Sequence, residues 1–263
     1  MEENRDSTVL TGLVNRAVTI LCWIYFIFAF LLFFSWFYLC AFFFSRNREK
    51  HFQYLNHLFF KGFLFLLRLL APRQQWRIDE EISRIRGSII VCNHRSYLDP
   101  LILLSLLPRN KTIVKSVFFR APVFGWLIAV SGYLPASTEG VNGARMIEHI
   151  ENMADFFEDG GNLFVFPEGT RNRKGTLGAF HSGVFKIARM CRCPIQVLAL
   201  ANTDRLFCPG KFVFETRKNN VISMKILGSV SSAAAEHRVS AADLETEVRQ
   251  LFQAGGPVAE AAP

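Results

Sequence analysis

Asn93-His94-Arg95-Ser96-Tyr97-Leu98-Asp99-Pro100 puts a histidine five residues before an aspartate in a short polar interruption of apolar sequence. An imidazole with an ordinary pKa near 6.5 is suited to taking a proton from an attacking hydroxyl, provided something fixes its tautomer and ring plane. A carboxylate accepting from the other ring nitrogen does both and stabilises the imidazolium that forms, as in hydrolase triads. On one continuous helix, positions 94 and 99 would lie about 140° apart. The chemistry therefore requires His94 on a loop, with Asp99 opening the next helix and Pro100 at its first position. Asp99 has a structural alternative as the N-cap of that helix, and the roles are compatible because a carboxylate has two oxygens. Asn93 is expected to pin the loop by a hydrogen bond, and Ser96 to be a turn hydroxyl.

The second polar motif, Phe166-Pro167-Glu168-Gly169-Thr170-Arg171, leaves the end of another predicted strand. Its glycine lets the backbone approach a ligand closely, and Arg171 offers a planar fork matched to phosphate oxygens. The alternative for Arg171 is a surface salt bridge to Glu168. Lys115 follows a further strand and leads into Ser116-Val117-Phe118-Phe119-Arg120-Ala121-Pro122-Val123-Phe124-Gly125-Trp126. The aromatics of that segment read equally well as core or as acyl-chain contacts.

The elements that position these motifs alternate between short apolar strands and amphipathic helices. Ser88–Cys92, Asn162–Phe166, Pro194–Leu200, Lys211–Thr216 and Val221–Leu227 read as strands. Leu101–Leu107, Met146–Phe157, Ser182–Arg192 and Ala241–Phe252 read as helices, the second stopping at Gly160-Gly161. This alternation predicts an α/β fold: a mixed, largely parallel sheet flanked by helices.

Two apolar segments precede it. Residues 17–45 carry no charged side chain and as a helix would reach roughly 40 Å, more than a hydrocarbon core of about 30 Å. That is longer than a signal-peptide core and lacks a small-residue cleavage site, so it reads as a retained anchor. Residues 51–70 read as a second helix, with Lys61 and Arg68 snorkelling to a headgroup layer. Arg46, Arg48 and Lys50 follow the first run, whereas Arg5 and Arg16 before it are offset by Glu2, Glu3 and Asp6. This bias predicts a cytoplasmic catalytic part. The expected organisation is a lead at 1–16, membrane-anchoring helices at 17–71, a catalytic domain at 72–253 and a frayed tail at 254–263.

A net charge of +8 on 263 residues favours anionic partners, and the 27 phenylalanines are concentrated near the N-terminus. No arginine–aromatic sheet pattern or basic recognition helix points to nucleic acid. The six cysteines show no zinc-type CxxC pairing and read as reduced, mostly buried thiols.

Together, the His94–Asp99 spacing and the downstream FPEGTR resemble the glycerophospholipid acyltransferase family, and within it the 1-acylglycerol-3-phosphate acyltransferases. The resemblance runs from about Gln75 to Val230 and implies that family's fold. It also implies His94 as general base and Asp99 as its partner. Lys115, Glu168, Gly169, Thr170 and Arg171 would bind the acceptor, with Lys115 and Arg171 on its phosphate. One departure stands out: the arginine that the family usually carries after the glycine matching Gly132 is missing from Tyr133–Thr138. Arg145 and Lys174 are the candidate replacements. The implied reaction moves a fatty acyl group from acyl-CoA or acyl-carrier protein to the sn-2 hydroxyl of 1-acylglycerol-3-phosphate, forming phosphatidate in the membrane. It needs no metal, cofactor or covalent acyl-enzyme. The alternatives are another lysolipid acceptor, a membrane thioesterase in which water replaces the acceptor, or a non-catalytic lipid-binding adaptor.

Overall fold

The computed structural model describes residues 2–136, 150–171, 177–232 and 239–255, with side chains from Val9 onward. Arg145, Lys174, Met146 and the tail from residue 256 lie outside the described residues. The first helix is longer than the apolar run that predicted it. α1 (Glu2–Ile24) continues through a π-helical stretch, Tyr25–Phe34, into α2 (Ser35–Phe44). Val9–Phe44 is long and apolar enough to cross a membrane. A short turn leads to α3 (Arg48–Leu70), capped by Asn47, whose Oδ1 accepts from the Lys50 N–H at 3.0 Å.

The sheet strands are β1 (Gln74–Ile78), β2 (Ile89–Cys92), β3 (Asn110–Val114), β4 (Leu134–Pro135), β5 (Asn162–Val165), β6 (Ile195–Ala201) and β7 (Asn220–Val230). Between them run α4 (Leu98–Leu106), α5 (Phe124–Val130), α6 (Met153–Glu158), α7 (Gly183–Cys191) and the short α8 (Thr203–Leu206); α9 (Ala241–Ala254) closes the chain. Spatial order is β1-β7-β6-β2-β5-β3-β4. β6, β2, β5, β3 and β4 are mutually parallel, whereas β7 runs antiparallel to β6 and carries β1 parallel at the edge. This is the mixed, largely parallel sheet expected.

Strand alternation sorts the core into two layers. Ile90, Cys92, Phe164, Leu198, Ile222 and Met224 face α4 together with Val18 and Cys22 of α1 and Phe63, Leu64 and Leu67 of α3. Ile89, Val91, Leu163, Val165, Ile195 and Val197 face the other way, against α6, α7 and α9. The apolar N-terminal helices thus share a core with the sheet. Polar side chains fix the same docking. Asn15 Oδ1 accepts from the Thr216 N–H at 2.9 Å, and Thr19 Oγ1 from the Phe214 N–H at 2.9 Å. Further along, the Tyr38 hydroxyl donates to Asn56 Oδ1 at 2.6 Å.

These bonds explain one misreading: Lys211–Thr216 is a loop, not a strand, because α1 side chains take backbone groups that a neighbouring strand would need. Arg68, expected to snorkel, is exposed and lies with its guanidinium 5.0 Å from the Trp76 ring.

Candidate active site

Four parallel strands, β6, β2, β5 and β3, end at one edge of the sheet, where ligands of open α/β sheets bind. Asn93-His94 leaves β2 there, the second motif leaves β5, Lys115 leaves β3 and Asn202-Thr203 leaves β6. Residues far apart in sequence thereby reach one crevice.

His94 sits on a loop, as its chemistry requires. Its Nδ1 lies 2.8 Å from Asp99 Oδ2. A carboxylate oxygen can only accept, so Nδ1 carries the proton and Nε2 keeps a free lone pair. Asp99 differs from expectation in register: α4 starts at Leu98 with Tyr97 as cap, so Asp99 is the second helical residue and Pro100 the third. The shift aims the carboxylate back into the loop. Oδ2 also accepts from the backbone N–H of Arg95 at 2.6 Å and of Ser96 at 2.7 Å, while Oδ1 accepts from the Thr203 hydroxyl at 2.6 Å. Asp99 is fully buried, and the His94 side chain keeps 17% exposure, enough for a substrate to reach it.

The loop is held from below as well. Asn93 bonds Leu200 of β6 in both directions, accepting from its N–H at 2.7 Å and donating to its carbonyl at 2.8 Å. Ser96 is more than a turn hydroxyl: it is fully buried and donates to the Phe207 carbonyl at 2.7 Å. Arg95 pairs with Asp204 at 3.3 Å. The segment after β6 therefore clamps the histidine loop.

Two aromatic contacts join the motifs. Phe166 stacks on His94, with ring centroids 4.2 Å apart, and the Arg171 guanidinium lies 3.5 Å from the centroid of Tyr97. Arg171 Nη1 is buried and has no hydrogen-bond partner among the described residues, an expensive state for a guanidinium donor unless an anion fills it. Among the described residues no ion pair joins Arg171 to the Glu168 weighed from sequence, and its guanidinium is seen over Tyr97. Glu168 is buried and accepts from the Gly178 N–H at 2.9 Å, bracing the turn. Gly169 has φ +65°, and a Cβ there would meet the His181 ring, so glycine is required. Thr170 and Lys115 are exposed on the segments that leave β5 and β3.

A cavity of about 560 Å³ opens beside Tyr97 and Leu98, walled by Trp23 and Phe26 of the N-terminal helix, Phe63 of α3 and Phe212. Burial, then the charge on Asp99, push the Cys92 thiol well up, and burial pushes Cys193 to about 12. Among the described residues, no group of three or more His, Cys, Asp or Glu side chains is arranged to hold a metal. Sequence reasoning missed Thr203, which lies 104 positions from Asp99 and has no local signature. It also gave no role to Tyr97 or Phe166, although aromatics inside polar motifs were the available signal.

Residues 73–201, which contain both motifs, match the family model described as Acyltransferase. The chloroplastic 1-acyl-sn-glycerol-3-phosphate acyltransferase BAT2 of Brassica napus is 33% identical over 122 residues, 46% of this chain and 35% of that protein. The human 1-acyl-sn-glycerol-3-phosphate acyltransferase beta is 24% identical over 188 residues, 69% of this chain and 63% of that one. The matched stretch thus spans about a third of the plant relative's length. In three dimensions the chain superposes on the crystal structure of the 1-acyl-sn-glycerophosphate acyltransferase PlsC from Thermotoga maritima. The TM-score is 0.68 at 21% identity, covering 94% of this chain and 98% of that one, so the two share a fold.

Proposed function

We propose that the protein transfers a fatty acyl group from acyl-CoA or acyl-carrier protein to the sn-2 hydroxyl of 1-acylglycerol-3-phosphate, forming phosphatidate. The observation that carries this reading is the interlock of the two motifs: a His94–Asp99 pair beside Arg171, which lies over Tyr97 with a buried Nη1 that no described residue satisfies. His94 Nε2 takes the acceptor's hydroxyl proton as its oxygen attacks the thioester carbonyl. The tetrahedral intermediate then collapses, the C–S bond breaks, and the leaving thiolate recovers the proton from the imidazolium. Asp99 holds the tautomer and stabilises the transient cation. Arg171 and Lys115 bind the acceptor's phosphate, Glu168, Gly169 and Thr170 shape its seat, and the apolar cavity receives an acyl chain. No metal, cofactor or acyl-enzyme takes part. The apolar N-terminal helix anchors the protein, with the site on the cytoplasmic side.

A related reading with another lysolipid acceptor draws on the absence of a basic residue from Tyr133 to Thr138 in the sequence. Incubating purified protein with labelled acyl-CoA, acylated carrier protein and a panel of lysolipids separates the two. Fastest transfer to the phosphate monoester supports the proposal; faster transfer to a lysolipid with an esterified phosphate overturns it, and hydrolysis without transfer would leave a thioesterase.

A further inference from the structure

Of the segment that runs from Lys115 into α5, Phe119 packs against the core but most of the other large apolar side chains do not. Val117, Phe118, Val123 and Phe124 are all exposed, Val117 at 65% and Val123 at 58%. Four large apolar side chains on one short loop form a patch of the kind that marks an interaction site. The loop is also internally bonded. Ser116–Arg120 is a 3-10 turn, the Ala121 N–H closes it on the Phe118 carbonyl at 3.1 Å, and Phe118 meets Phe124 edge-on with centroids 6.0 Å apart. Gly125 packs so tightly on the Phe119 carbonyl that a Cβ would overlap it.

Val123 has φ 59° and ψ −55°, with the Phe124 N–H bonded back to the Pro122 carbonyl at 2.6 Å. That is the strained form of the γ-turn, and a β-branched residue is among the least suited to it. Strain of this sort persists where surrounding structure imposes it, and it clusters at functional positions. Here it holds an aliphatic side chain out into solvent.

What covers the patch follows from its neighbours. Trp126, at the base of the loop, stands edge-on to Phe42 of α2 with centroids 5.3 Å apart. Phe43 and Phe44 beside it are 68% and 85% exposed at the end of the span-length helix. The patch therefore continues the apolar surface of that helix. Its rim is basic and exposed, with Lys115 and Arg120 on the loop and Arg46, Arg48 and Lys50 at the turn after α2. An apolar centre within a cationic rim fits the headgroup–acyl boundary of an anionic bilayer.

We propose that residues 116–126 are a second membrane-contacting element, a wedge that seats Val117, Phe118, Val123 and Phe124 in an anionic phospholipid surface. This rests on the membrane reading of the N-terminal helix but not on the identity of the acceptor. Its consequence is positional: Lys115 begins the wedge, so the headgroup of a bilayer-borne acceptor meets it as the lipid leaves the surface.

The test uses the full chain in vesicles of phosphatidylcholine and phosphatidylglycerol. Val117→Asn with Val123→Asn removes the aliphatic tips and puts at 123 a residue more tolerant of positive φ. Transfer to a long-chain lysolipid in the vesicles should fall about tenfold, while transfer to a short-chain, monomerically dissolved lysolipid stays unchanged. Unchanged transfer in vesicles overturns the wedge, and so does an equal loss on both substrates, which would place the loop in the fold or the site. A Val117→Trp variant gives a readout that needs no activity: brominated lipids should quench the added fluorescence. Absence of added quenching overturns the proposal, as does a concentration-dependent dimer that shields the tryptophan from those lipids.

Discussion

The loop after β2 and the loop after β5 leave the same edge of the sheet, yet they handle their polar groups in opposite ways. In the first, Asp99 has four donors and Asn93 is bonded in both directions to β6. In the second, Arg171 rests on Tyr97 with a buried Nη1 that no described residue satisfies. A group that moves protons needs fixed geometry before substrate arrives, so its surroundings are complete in the free protein. A group that binds an anion gains most when its own partners are few, because the ligand then supplies the missing hydrogen bonds.

Removing the base tests the completed loop most severely. His94→Ala should lower turnover on the order of 10²–10⁴-fold, the usual contribution of a positioned acid–base group. The Asp99 cage keeps its two backbone donors and Thr203, so thermal denaturation and membrane retention should be close to native. Steady-state kinetics with both measured side by side decide it, and near-native turnover would remove His94 from the mechanism.

The incomplete loop should respond in binding instead. Arg171→Ala should raise KM for a phosphate-monoester lysolipid about ten- to hundredfold, equivalent to roughly 1.5–3 kcal/mol for a charge-assisted bond, with a smaller effect on a phosphodiester acceptor. Lys115→Ala should act in the same direction but less strongly, since an ammonium lacks the planar fork and this one is exposed. Equal losses on every acceptor would show that Arg171 serves the fold through its stack on Tyr97, and the contrast between the loops would disappear.

The two loops were also unequally legible from sequence. Short-range features carried well. His94 had to leave a strand for its geometry to work, and the apolar runs of β2, β5 and β6 declared a buried sheet. Partners contributed by distant elements did not. Thr203 meets Asp99 only because β6 lies next to β2, a pairing that no local pattern encodes. Lys211–Thr216 has strand composition, but Asn15 and Thr19 of α1 take its backbone groups. The wedge was named only as an aromatic segment, since the positive φ at Val123 has no signature in a β-branched residue.

Thr203 gives the finest test, because it touches the completed loop without touching substrate. Thr203→Val keeps the shape and removes the one donor that the described residues give Asp99 Oδ1, leaving a buried oxygen unsatisfied at a cost of about 1–3 kcal/mol. If only part of that reaches the transition state, turnover falls several-fold with KM unchanged, since about 1.4 kcal/mol corresponds to tenfold in rate. Thr203→Ser should restore the rate. A variant that is less stable but turns over at the native rate would make Thr203 a packing residue, and the positioning of the base would then belong to the backbone donors of Arg95 and Ser96.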